Sequence, residues 1–116
     1  MRLTIQAKDK SNTIIADGST EEHNARIHEG QWYFSPDVVD MTYLKVSERT
    51  YTCPYKGVCY WIDLDAPGLK AENVGWVYPD PKPDYTFIKD QIAFYSRQTK
   101  GTFAVKQNST KIIQTQ

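Results

Sequence analysis

A chain of 116 residues with 14 basic and 14 acidic side chains carries no formal net charge. That length supports one modest core, and the balance offers no charge excess to draw nucleic acid or an anionic membrane. No apolar run approaches the roughly 20 residues that span a bilayer, and the first 20 residues lack the apolar core of a secretory signal. The expectation is a cytoplasmic protein with a single β domain over residues 1–106 and a polar tail over 107–116, where Thr, Gln and Asn dominate. Val, Ile and Thr total 27 against 11 for Leu and Ala, and 15 aromatics add to the strand-forming side.

The elements follow in chain order. Leu3, Ile5 and Ala7 alternate with polar neighbours and predict a first strand. Residues 13–16 form a second, joined to it by the short polar segment 8–12 as in a hairpin. Asp17-Gly18-Ser19 closes the pair. Residues 20–27 carry the one mild helix signal, with Ser19 or Thr20 as cap and Glu21 and Glu22 in a first turn. The segment lacks an apolar stripe, so one helical turn is the most it supports.

Residues 31–34 read as a strand ended by Ser35-Pro36, and residues 37–41 as a short helical turn. Residues 43–47 and 49–53 read as extended. Pro54-Tyr55-Lys56-Gly57 is turn chemistry, because Pro fixes φ and Gly permits a positive one. Residues 58–64 resume as a strand and Asp65-Ala66-Pro67-Gly68 turns again. Residues 72–78 form a strand, stopped by three prolines within residues 79–83. Residues 87–88 with 91–95, and then 102–106, complete the set. About eight short strands at intervals of 8–15 residues predict an all-β or mainly β chain, an antiparallel barrel or rolled sheet with one or two helical turns.

Thr52-Cys53-Pro54-Tyr55-Lys56-Gly57, followed by Tyr60-Trp61, resembles the signature of a bacterial domain family of unknown function, number 427, sometimes labelled nucleotidyltransferase-like. Tyr33-Phe34 with Pro36 and Asp37-Val38 resembles its YFP-x-DV element. Ser47, Arg49 and Thr50 resemble its S-D-R-T run, with Glu48 where Asp is usual. Glu72-Asn73, Trp76, Tyr78, Pro79 and Pro81 resemble its E-N-A-A-W-x-Y-P-x-P, and Ile88 with Ala93-Phe94-Tyr95 its closing stretch. Cys59 stands where a small residue is common. The resemblance covers residues 31–95. It implies a small, mostly β domain and carries no defined activity. Asp63 and Asp65 have Asp-x-Asp spacing, but no Gly-Ser loop precedes them, so the triphosphate chemistry of a classical nucleotidyltransferase has no frame here.

Cys53 is the candidate catalytic residue. It sits at a strand-to-turn corner between Arg49 and Lys56, and nearby positive charge favours a thiolate. The plainer alternative is a small buried residue anchoring the turn. His23 and His28 are the only imidazoles and lie before the family motifs. Six residues of unbroken strand would span roughly 20 Å, too far for a disulfide, and the turn between Cys53 and Cys59 could shorten that; without a secretory signal a reduced pair is expected. With the two histidines they match no usual zinc spacing, so neither metal nor other cofactor is expected.

Lys56 on its turn suits an anionic group, and Arg49 could add a bidentate clamp. The whole Cys-Pro-Tyr-Lys-Gly string matches the family, which brings Tyr55 into the ligand-binding set. Strand aromatics are usually core or cross-strand pairs, yet Trp61 or Trp76 could wall a cleft beside Lys56. Cys59, Trp61 and Asp63 share one strand face; Val58, Tyr60 and Ile62 share the other. Three readings stay open: a binding module for a small anionic or polar ligand, a thiol enzyme using Cys53, and an interaction or homodimerisation module with exposed aromatics.

Overall fold

The computed structural model describes residues 1–108. Among the described residues nine strands form in order: β1 (Arg2–Ala7), β2 (Ile14–Ser19), β3 (Ala25–His28), β4 (Gln31–Phe34), β5 (Leu44–Cys53), β6 (Gly57–Ala66), β7 (Leu69–Val77), β8 (Ile92–Phe94) and β9 (Thr102–Gln107). Every strand-to-strand ladder is antiparallel, in two sheets ordered β2-β1-β9 and β3-β4-β8-β7-β6-β5. The helical content is short 3₁₀ turns at Pro36–Val38, Met41–Tyr43 and Pro83–Ile88. No helix among the described residues is long and apolar enough to cross a membrane. The expected mainly β, antiparallel architecture is therefore the one observed, in two sheets and with nine strands among the described residues where about eight were expected. Gln107, assigned to the tail, ends β9, and the rest of the expected tail beyond 108 lies outside the described residues.

Two local readings change. Residues 20–27 do not form a helical segment. A single hydrogen-bonded turn joins His23 N–H to the Thr20 carbonyl, with His23 at φ 61, and Ala25–His28 is already strand. Without an apolar stripe, a helix there would bury nothing, whereas pairing β3 with β4 satisfies its backbone. Residues 44–53 form one long strand, not two runs, with its irregularity absorbed as a register shift between Val46 and Thr50, and Tyr43 ends the preceding 3₁₀ turn.

The six-stranded sheet carries a buried cluster on each face. Trp32, Phe34, Ile62, Leu64, Val74, Ile92 and Phe94 pack with Leu3, Ile5, Ala7 and Ile15 of the smaller sheet. Phe34 and Phe94 meet edge-on with centroids 5.9 Å apart. On the other side, Tyr33, Cys53, Cys59, Trp76, Tyr78, Ile88 and Ala93 form a second cluster. Ile88 of the 3₁₀ turn Pro83–Ile88 and Cys53 at the β5–β6 turn belong to that second cluster, and Tyr85 packs against it. The strand alternation thus assigns Trp32 and Phe34 to one core and Tyr33 to the other.

Gly75 lets β7 lie close against β8. A Cβ there would sit 2.4 Å from the Ala93 carbonyl oxygen and 3.3 Å from the Phe94 ring. Gly75→Ala is expected to cost about 1–3 kcal/mol as overpacking, read as a lower urea midpoint with an unchanged slope.

Candidate functional site

The second cluster opens into a cavity of about 300 Å³. Its walls are Tyr33, Tyr51, Trp61, Trp76 and Tyr95; Lys56, His28, Glu29 and Gln31 supply the polar end, and Cys59 and Tyr78 complete the lining. Trp76 is the central ring. It meets Tyr33, Trp61 and Tyr95 edge-on, at 6.2, 6.1 and 5.0 Å between centroids. Its Nε1–H donates to the Tyr33 hydroxyl at 3.3 Å. These rings converge because Trp61 pairs with Trp76 across β6–β7 and Tyr33 pairs with Ala93 across β4–β8. Burial pushes the Tyr33, Tyr78 and Cys59 groups up, so all three stay neutral near pH 7.

Lys56 enters from the β5–β6 turn. Gly57 at φ 107 permits the chain to double back there. The proline-rich stretch straps the turn: Lys82 N–H donates to the Lys56 carbonyl at 2.8 Å, and Lys82 Nζ to the Pro54 carbonyl at 2.7 Å. The Lys56 side chain is only 11% exposed, and its ammonium pairs with Glu29 Oε1 at 2.5 Å. It also lies 3.9 Å from Cys53 Sγ and 5.5 Å from the Tyr85 ring centroid. Burial alone would lower the Lys56 pKa; the Glu29 hydrogen bond and the neighbouring Cys53 outweigh it and hold it above the ordinary lysine value. The same Lys56 hydrogen bond holds the Glu29 carboxyl below its ordinary value.

Cys53 sits behind Lys56 and is not among the lining residues. Burial pushes its thiol up. The backbone N–H groups of Lys56 and Tyr55 and the Lys56 charge more than offset this, so the thiol titrates below the ordinary range. Cys53 and Cys59 are both buried free thiols. Among the described residues, no three His, Cys, Asp or Glu side chains gather as metal ligands.

Trp61, Trp76 and Lys56 therefore share one cavity, whereas Tyr55 and Arg49 stand elsewhere. Tyr55 is at the turn tip, 72% exposed. Arg49 closes a staple across β5, β6 and β7. Its Nη2 donates to Asp63 Oδ1 at 2.5 Å and to Asn73 Oδ1 at 2.9 Å, and Asn73 N–H donates to the same Asp63 oxygen at 2.9 Å. Asn73 adopts φ 58, and Ser47 donates to the Trp61 carbonyl at 2.8 Å while accepting from Arg49 N–H. The motif residues Ser47, Arg49 and Asn73 thus fix two register shifts that aim Trp61 and Trp76 at the cavity. Asp63→Ala would leave the Asn73 N–H and the Arg49 guanidinium without this acceptor. The expected loss is about 1–2 kcal/mol, and a double-mutant cycle with Arg49→Ala should return a coupling above 0.5 kcal/mol.

Sequence reasoning set His28 aside as lying before the family motifs and missed Glu29 and Gln31. His28 and Gln31 flank a two-residue hairpin turn in which Glu29 and Gly30 take φ 53 and 81. The available signal was Glu-Gly between the short runs Ala-Arg-Ile-His and Gln-Trp-Tyr-Phe. His28 stacks edge-on against Tyr33, Tyr85 and Phe87, and its Nε2 is buried without a hydrogen-bond partner among the described residues, 3.7 Å from Glu29 Oε1. A larger, more open depression of about 540 Å³ lies over the β6–β7 turn. It is lined by turn residues and Thr42 and Tyr43 and holds no buried charge, so the aromatic cavity is the better site.

No curated protein matches the chain. A family model described as Domain of unknown function (DUF427) matches residues 6–105, which extends the resemblance from the central motifs across both sheets. Since that match takes in β3, β4 and every wall of the cavity, the chain belongs to the DUF427 family.

Proposed function

We propose that the protein binds a small anionic ligand in the aromatic cavity beside the Cys53–Gly57 turn. The observation that carries this reading is a lysine ammonium kept almost out of water at one end of a cavity walled by Trp61, Trp76 and Tyr95. Taking a charge out of water is costly, and a surface lysine chosen for solubility would not bear that cost. Aromatic walls with a few convergent polar groups are the usual make-up of a small-molecule site, and about 300 Å³ suits one or two rings.

The test is calorimetric titration of the folded protein with indole-3-acetate, benzoate, phenyl phosphate and ribose 5-phosphate. Saturable binding by at least one of them, weakened tenfold or more in Trp61→Ala, supports the reading. No saturable binding by any of the four, or a hit that Trp61→Ala leaves unchanged, overturns it.

A second reading is favoured by one observation: the Lys56 ammonium lies 3.9 Å from Cys53 Sγ, a neighbour that favours the thiolate. In it Cys53 serves as a thiolate nucleophile. Its alkylation by iodoacetamide is expected to reach half-maximal rate below the ordinary thiol pKa of about 8.5. A midpoint at or above that value removes this reading and leaves Cys53 as an anchor of the turn.

A further inference from the structure

Resting on the binding reading above, we propose that Glu29 is a resident stand-in for the ligand's carboxylate, and that the ligand is an aromatic ring bearing one carboxylate. Glu29 lies at the tip of the β3–β4 hairpin, and its side chain is 55% exposed, yet its Oε1 reaches 2.5 Å from Lys56 Nζ inside the cavity. A half-exposed side chain on a hairpin tip can turn outward into water without disturbing either core. The Lys56 ammonium, at 11% exposure, has no comparable freedom.

The class of ligand follows from what Glu29 would vacate. Lys56 and Glu29 together bring no net charge to the cavity. A monoanion that replaces Glu29 on Lys56 restores that balance, whereas a phosphate dianion adds an excess negative charge in a partly desolvated site. A carboxylate also has two oxygens to place. One meets Lys56 Nζ. The other meets His28 Nε2, the buried ring nitrogen with no hydrogen-bond partner among the described residues, which lies 3.7 Å from the Glu29 oxygen that now fills the space. The ring then lies among Trp61, Trp76, Tyr33 and Tyr95 in about 300 Å³, room for one or two fused rings.

Glu29 occupying Lys56 lowers the apparent affinity by the fraction of molecules in which it is turned away. If that fraction is about one tenth, removing the competing charge strengthens binding about tenfold. The experiment titrates wild type, Glu29→Gln and Lys56→Met with indole-3-acetate and with phenyl phosphate, with thermal midpoints as a check on folding. Tighter indole-3-acetate binding by Glu29→Gln, together with a carboxylate preferred over phenyl phosphate in wild type, is the expected result. Equal or weaker binding by folded Glu29→Gln, while wild type still binds, overturns the stand-in role and leaves the binding reading intact. Phenyl phosphate bound as well as or better than the carboxylate overturns the ligand class. No binding of either probe by wild type and Glu29→Gln alike overturns this inference, and the binding reading falls with it when benzoate and ribose 5-phosphate also fail to bind wild type. Should Glu29→Gln fold poorly, Glu29→Ala is titrated in its place against the same outcomes.

Discussion

Trp76→Ala is expected to lose about 3–5 kcal/mol of stability and all measurable ring binding. Trp76 is 8% exposed and touches three other rings, so truncation removes both its own buried surface and the edges that hold Tyr33, Trp61 and Tyr95 apart. The hole it leaves opens onto the cavity, and the neighbouring strands are fixed by ladders on both sides of β7, which limits collapse. Trp76→Phe serves as the control. It keeps an edge for Tyr95 but deletes the Nε1–H that donates to the Tyr33 hydroxyl. The cost there should be clearly smaller. Equilibrium urea unfolding separates the two, and a loss below 1 kcal/mol for Trp76→Ala would mean that the aromatic cluster is not packed as described.

What the sequence made legible follows from where local chemistry is decisive. The β1–β2 hairpin, the Pro54–Gly57 turn and the proline stop after β7 are written in alternation and in turn residues, and tertiary structure had little to add. The pairing of Trp61 with Trp76 on one face was legible in part, because alternation places Cys59 and Trp61 together. β3 was not legible. Four residues carry too little periodicity, and the Glu21-Glu22 pair mimics a helix start. Losing β3 meant losing Glu29 and His28, half of the polar end of the cavity. Arg49 illustrates a different gap. Its closeness to Cys53 in sequence suggested a joint cation, but a register shift turns it towards Asp63 and Asn73. Such shifts depend on which strand lies alongside, which no local pattern encodes.

Lys56→Met should weaken binding of any anionic probe at least tenfold while leaving the fold standing, since methionine keeps the apolar length of the stem and drops the charge. Three independent readouts follow from the contacts of the ammonium. Cys53 alkylation should need a higher pH, because the Lys56 charge no longer favours the thiolate; the two backbone N–H groups remain, so the shift is partial. The Glu29 carboxyl should rise towards its ordinary value. The stability difference from wild type should also depend on pH with a defined sign. Glu29 is depressed in the folded protein, so its contribution is present above the ordinary glutamate pKa and is lost as pH falls through the lowered folded value. Lys56 is raised, so its contribution is present below the ordinary lysine pKa and is lost as pH rises through the raised folded value. Wild type should therefore lead Lys56→Met across the neutral range, and the gap should narrow at both extremes. Because Glu29 is half exposed, the gap is screened and should shrink further in 1 M salt. A gap that is absent, or flat with pH and salt, would show that the Lys56 charge adds no electrostatic stabilisation, and the cavity's cation would then have no electrostatic partner in Glu29 for a ligand to displace.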